Sequence, residues 1–482
     1  MLLSLLTLLA CNKDEGATDT AAVDDTDTTI DTGDTGEDTA PPAELDGYDF
    51  ASAFTDGSSV SYSGQIFRQL LIDDMKSHLG DMTDRLNSGS FFPAEGDVET
   101  ELNFYFEFDS DAYGQVPLLE TASADVLQSV YDDVSSGKNL VEKLAGNDAT
   151  GQHEDWSTAM VGWDAVGVTT PESLVRTWFA QIDDQAVAWA AGSAPLGPDG
   201  SPVPAVYVTP EGQDLQQLLE KFLRGALAFS QATDDYLDDD LADKGLNSSH
   251  EDPGDAAYSD LEHAWDEGFG YFGAARTYGS WTDAEISDKD MDVDGDGSID
   301  LLTEVCWGHS VNAGKRDAGA VVATDMTAAA WDGFLAGRTL LAETAGTPLT
   351  GDQLAELQGY RDQAVLAWEE AIASTVVHYV NDTLQDMGAI GTDDYSFGDH
   401  AKHWSELKGF ALALQFNPRM TMSDDDFATL HGLIGTAPVL ATAGEKALEG
   451  YAADLIAART LVGEAYSFDE ANLGDEHGEG GW

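Results

Sequence analysis

Apolar residues return every three or four positions along most of this chain, and that period commits it to helices. Ser63 to Leu86 (SGQIFRQLLIDDMKSHLGDMTDRL) has it, as do Ala122 to Leu144, Pro171 to Ala190 and Gly212 to Leu241. Val311 to Glu343, Gly351 to Met387, Asp399 to Phe416 and Val439 to Tyr466 follow. Pro171 suits a first helical turn, with Thr169 and Thr170 before it as caps. The Ala-rich last segment carries Gly444, Gly450 and Gly463, where helices can approach closely. Period-two alternation is confined to Val203–Thr209 (VPAVYVT) and to Asn103–Phe108, the latter open also to helical or loop readings. Repeated long helices with polar connections predict an all-α helical bundle, in two halves with a boundary near 288–304.

The N-terminus adds an address. Residues 1–10 (MLLSLLTLLA) are apolar and stop at Cys11. That run is far short of the roughly 20 residues that cross a bilayer, and it has the length of a signal-peptide core. Leu8-Leu9-Ala10-Cys11 resembles a lipobox, so cleavage before Cys11 would leave a thiol to be lipidated. Residues 11–46 are then a lipidated cysteine and a linker of Asp, Thr, Gly, Ala and Glu, too polar and too uniformly charged to order itself. Residues 47–468 form the helical domain and 469–482 an acidic, Gly-rich tail. The expected location is the cell envelope, by lipid anchor, on the outer membrane, since Asn12 lacks the Asp that favours inner-membrane retention. Cys306 is the other cysteine, which leaves no partner for an intramolecular disulfide once Cys11 is lipidated.

Ninety Asp and Glu stand against 21 Lys and Arg, a formal net charge of −69. Such a surface repels nucleic acid and anionic membranes, attracts cations and suits a saline habitat. The partners left are a membrane reached through the anchor alone, cell-envelope proteins and metal ions.

The clearest local chemistry is Asp290-Met-Asp-Val-Asp-Gly-Asp-Gly-Ser-Ile-Asp300. Carboxylates at every second position can curl around one hard cation, a glycine permits the sharp turn, and Ile299 can anchor the loop. With Asp292 first, the expected calcium site is Asp292, Asp294, Asp296, Ser298 and Asp300, with Glu304 beside them. The twelfth position of an EF-hand loop is Thr303, and Glu304 comes one residue late. No clear helix enters the loop, so it reads as an isolated, structural, EF-hand-like calcium loop.

Two further stretches pair imidazoles with carboxylates. In Leu261–Gly273, His263 and Glu267 share a helical face; in Gly398–Phe410, His400, His403 and Glu406 recur at i, i+3, i+6. Both run His, Trp, Glu, Gly-Phe, as equivalent helices of two bundle halves would. Such groups can hold iron or another transition metal, can act as acid and base, or can simply satisfy one another in a core. No Ser/His/Asp signature, phosphate loop, dinucleotide glycine pattern or His-Glu-x-x-His motif is present.

Several segments together resemble a family of bacterial lipoproteins defined by a domain of unknown function of roughly 400 residues, large for a single domain. They are Ser59–Gln65 with Arg68, His263–Gly273, Asp296–Asp300 with Asn312 and Lys315–Asp317, His403–Phe410, and Gln415–Pro418, and the resemblance spans roughly Tyr48 to Gly463. It implies class and location; the family has no established activity. More distantly the chain is similar to imelysin-like proteins, helical two-bundle domains tied to iron uptake. Their Gly-x-His-x-x-Glu signature meets Gly398-Asp-His400-Ala-Lys-His403 here, with His in place of Glu.

Three functions follow as expectations. The first is a non-enzymatic binding lipoprotein in iron or metal acquisition, with no catalytic residues and His263, Glu267, His400, His403 and Glu406 around one cation. The second is a metal-dependent hydrolase using that cluster. The third is a calcium-stabilised structural or adhesive surface protein.

Overall fold

The computed structural model describes residues 47–119, 126–148, 150–152, 154–156, 160–163 and 169–482. The apolar start, Cys11 and the linker lie outside the described residues, as does the beginning of the Ala122–Leu144 segment.

Helices begin where the sequence supplies a cap. Thr170 accepts the Ser173 amide at 3.1 Å and opens the helix at Pro171. Ser259 and Glu262 cap each other reciprocally, as do Thr350 and Gln353. The long elements are α1 (Ser63–Ser88), α2 (Asp97–Phe106), α3 (Pro171–Ala190), α4 (Leu215–Leu223), α5 (Asp260–Phe272), α6 (Asp283–Asp288), α7 (His309–Gly319), α8 (Met326–Glu343), α9 (Gly351–Ala389), α10 (Phe397–Ala413), α11 (Asp424–Ile434) and α12 (Glu445–Ala465). Helix α4 runs on through wider π turns over Arg224–Phe229 and Ala232–Tyr236.

Helix α9 is the spine. Its 39 residues span about 58 Å and pack against α7, α8, α10 and α12. Helix α10 also lies on α4, and α5 lies on α1 and α8. Helices from either side of residues 288–304 therefore interleave, and Leu45–Trp482 is one compact unit. The expected boundary at that loop divides nothing.

Five tryptophans, Trp178, Trp265, Trp307, Trp368 and Trp404, are fully buried in one continuous core. Gly337 is what lets α8 meet α5, because a Cβ there would lie 2.0 Å from the Trp265 ring. Beside that contact Arg338, with no exposed surface, donates to Asp266 at 2.8 Å, Glu262 at 2.9 Å and Ser59 at 2.6 Å.

Three local expectations fail for identifiable reasons. Val203–Thr209 has one isolated bridge, Val208 to Asp214, while Val203 and Val208 pack on Ala401 as loop residues; Asn103–Phe108 takes its helical reading as far as Phe106, where α2 ends. No strand occurs among the described residues. Residues 126–144 hold only the single turns Tyr131–Val134 and Val141–Lys143; their apolar period reflects Tyr131, Val134, Leu140 and Leu144 pointing into the core from a loop. Val311–Glu343 breaks in two, because Asp317 folds back and accepts the Met326 and Thr327 amides that start α8.

The acidic tail docks on the body. Trp482 is buried, donates to the Arg316 carbonyl at 2.9 Å and accepts from Asn381 at 2.9 Å. No helix among the described residues is long and apolar enough to cross a membrane.

Candidate metal sites

In the 290–304 loop, ligand oxygens of Asp292, Asp294 and Asp296 lie within 4.8 Å of one another. The backbone gathers them: Asp292 accepts the Gly295 and Gly297 amides, Asp294 that of Asp296, and Asp296 that of Ser298. Gly297 sits at φ +91°, where a side chain would be strained. Ile299 is buried and pairs with Val126, the anchor its position implies. Glu304, one residue late in sequence, lies inside the loop, accepting the Val293 and Asp294 amides through one oxygen and the Asp300 amide through the other. The Asp300 carboxylate is engaged elsewhere, by Gln128 at 2.7 Å and the Thr303 hydroxyl. A hard cation here would thus draw on Asp292, Asp294 and Asp296, with Asp300 and Glu304 bracing the loop. The helix before it, α6, is a mere six residues.

The five residues expected around a second cation fall into separate groups. On α5, His263 lies 3.8 Å from Glu267 and stacks on Tyr258, while Glu267 accepts from Gln65 at 2.7 Å. Among the described residues no hydrogen bond or ion pair joins either to His400, His403 or Glu406. His400 is fully buried on α10; burial pushes its imidazole down to about 4, and the Tyr395 hydroxyl lies 3.3 Å from its Nδ1. Glu406 faces Lys221 of α4 at 3.6 Å and the Tyr379 hydroxyl.

His403 keeps different company. Its Nδ1 donates to Oδ2 of Asp386 at 2.8 Å, and its Nε2 lies 4.0 Å from Oδ2 of Asp382. The same Asp382 oxygen is 3.3 Å from Nε2 of His378. His378, Asp382 and Asp386 recur every four residues along one face of α9, opposite His403 on α10. About 3.3 Å is the ligand–ligand separation of a tetrahedral site with bonds near 2.0 Å. The His378 contact has that spacing and the His403 contact is about 0.7 Å longer, but the three ligand atoms do not all come within 4.8 Å of one another, so an ion here would have to draw the two imidazoles together.

The charges here are coupled. Burial and the nearby Arg316 push His378 down to about 3, so its ring is neutral at ordinary pH. Burial also pulls His403 down, but the hydrogen bond and charge of Asp386 outweigh it and hold that imidazole above its usual range. Burial raises the Asp382 carboxyl, with His403 opposing and Asp386 adding to the rise.

Residues 47–286 match the family model described as "Domain of unknown function (DUF4856)". Over that span, just under half of the chain, it is similar to the DUF4856 family. The match ends before the 290–304 loop, well short of the Tyr48–Gly463 extent expected from the sequence, so the DUF4856 span holds His263 and Glu267 but none of the other candidate ligands. No curated protein and no solved structure matches the chain.

Sequence reasoning missed His378, Asp382 and Asp386. The signal is present in His378-Tyr-Val-Asn-Asp382-Thr-Leu-Gln-Asp386, whose spacing puts three ligand-type side chains on one helical face. In so acidic a chain the same spacing is also what a solvated helix face shows.

Proposed function

We propose that this protein is an exported, lipid-anchored, non-enzymatic binding protein for divalent cations. Calcium in the 290–304 loop is structural. A transition-metal ion taken between α9 and α10 is the functional ligand, which fits a role in metal acquisition. The observation that carries this reading is the Asp386–His403–Asp382–His378 chain. A carboxylate that fixes one imidazole nitrogen directs the other outward, the usual support for a metal-binding histidine, and an arriving ion displaces the proton there. Here Nε2 of His403 faces a carboxylate shared with a second, neutral imidazole. Two nitrogens and one oxygen suit iron(II), zinc or manganese better than calcium. Anchoring through Cys11 rests on the lipobox-like sequence and the polar linker behind it.

Equilibrium dialysis of chelator-treated protein against zinc, iron(II) and manganese, with bound metal counted, tests the proposal. One transition-metal equivalent is expected beyond any held by the aspartate loop. It should vanish in His403→Ala and Asp382→Asn and persist in His263→Ala. Metal retained by the first two variants would overturn the assignment.

A further inference from the structure

A cleft of about 310 Å³ opens between α1, the α4 segment and the start of α7. Its charge is the reverse of the chain's. Acids outnumber bases by more than four to one overall, yet the wall carries Lys76, Lys221, Arg224, Lys289 and Lys315 against Asp73 and Glu220. Five of the chain's 21 basic residues therefore meet at one small cavity.

The two acids do not consume this charge. Asp73 takes Arg224 and also Lys289, the latter at 2.6 Å; Glu220 takes Lys76 and Lys221, each at 2.6 Å, and Lys221 also faces Glu406, outside the wall, at 3.6 Å. Both stay ionised: burial works against it, but the surrounding cations outweigh burial and hold them below the usual carboxylate range. Each therefore serves as a shared counter-ion that fixes two cationic heads. Lys315 is left over. Burial and the positive charges of Lys221 and Arg316 push its ammonium down, so it gains by any anion that arrives. Nε of Arg224, on a side chain 3% exposed, makes no hydrogen bond and lies 4.0 Å from the Glu220 carboxylate. Gly308 begins α7 at the cleft wall with no side-chain cap, so the positive end of that helix is directed there as well.

We infer that this cleft binds a small, multiply charged oxyanion, of the phosphate or di- and tricarboxylate kind. Its volume is at the small end for ligand pockets, which run from about 300 Å³ upward, and matches such a molecule. Convergent ammonium and guanidinium groups with a helix start are the usual means of holding one. The inference does not rest on metal binding, since none of the cleft residues belongs to the α9–α10 group.

Isothermal titration of chelator-treated protein with inorganic phosphate, sulfate and citrate tests it. One equivalent of at least one of these is expected to bind, and more weakly as sodium chloride rises. Phosphate or sulfate binding without citrate binding indicates a phosphate-type ligand, and the converse a polycarboxylate. Lys315→Gln, at a side chain that no acid of the cleft holds, should weaken binding about tenfold, the loss of one charge-assisted hydrogen bond. Lys446→Gln, on the remote surface of α12, should leave it unchanged. A full set of blank titrations at millimolar anion, or equal binding by Lys315→Gln and the unsubstituted chain, would overturn the inference. Metal content measured on the same samples keeps this outcome separate from the α9–α10 site.

Discussion

Nδ1 of His403 donates to Asp386 across 2.8 Å, and the ring this fixes turns its other nitrogen toward the Asp382 carboxylate that His378 also faces. The orientation gives Asp386 a positioning role. Asp386→Asn should keep the metal but weaken its affinity by roughly 10–100-fold, the usual effect of losing such an outer carboxylate. A competition titration against a chromogenic chelator reads this directly. An affinity unchanged within twofold would mean that the His403 orientation is not what matters.

Calcium should stabilise the whole body, because Ile299 ties the aspartate loop to the core and Glu304 ties its two ends together. An ion that binds the folded chain alone adds about 2.7 kcal/mol at a hundredfold excess over its Kd. Thermal unfolding of chelator-treated protein should therefore shift upward with added calcium. The shift should disappear in Asp294→Asn, whose carboxylate serves the loop alone, and persist in Asp240→Asn, where Asp238, Asp239 and Asp240 form a separate acidic cluster. Equal shifts in both variants would assign the effect to general charge screening.

Arg338 is buried between Asp266 and Glu262, so removing it strands two carboxylates. Breaking a buried ion pair from one side costs about 3–5 kcal/mol. Arg338→Met should lower the urea midpoint accordingly, whereas Arg419→Met, at a half-buried pair with Asp238, should cost less. A loss below about 1 kcal/mol in Arg338→Met would show that the two carboxylates find other partners once the guanidinium is gone.

Asp74 supplies a pH signature. Burial pushes its carboxyl up to about 7, against the opposing hydrogen bond from Tyr131 at 2.7 Å. Folding thus favours the protonated form, whereas the unfolded chain ionises near 3.9. The stabilisation is fully present below that value and is lost as pH rises through about 7. Stability relative to Asp74→Asn should accordingly fall between about pH 4 and pH 7, by roughly 1.4 kcal/mol for each pH step of one across that window. Paired urea titrations at several pH values cancel the other titrating groups. A flat difference would mean that Asp74 ionises normally.

The helical class and most long helices were legible because their apolar faces repeat at the helical period, and caps such as Thr170–Pro171 and Ser259–Glu262 mark their starts. The clustering of Asp292, Asp294 and Asp296 was legible for a similar reason, the carboxylates being close in sequence. The α9–α10 group was not, since His403 meets its partners across two helices and sequence spacing says nothing about which helices become neighbours. The likeness between the His263 and His403 segments is real at one level: Trp265 and Trp404 are both buried, donating to the Phe334 carbonyl and the Tyr451 hydroxyl. It led astray at another, because a shared packing motif implied a shared site. The cationic cleft left a faint trace in Glu220-Lys221-Phe-Leu-Arg224, charges set inside an otherwise apolar helix.

Anomalous diffraction from crystals of the zinc-loaded protein tests the metal-binding account most directly. A peak is expected between α9 and α10, roughly 2 Å from Nε2 of His403 and from an oxygen of Asp382, with His378 completing the set. Zinc found solely on exposed carboxylates, with His403 and Asp382 still about as far apart as they are here, would contradict it.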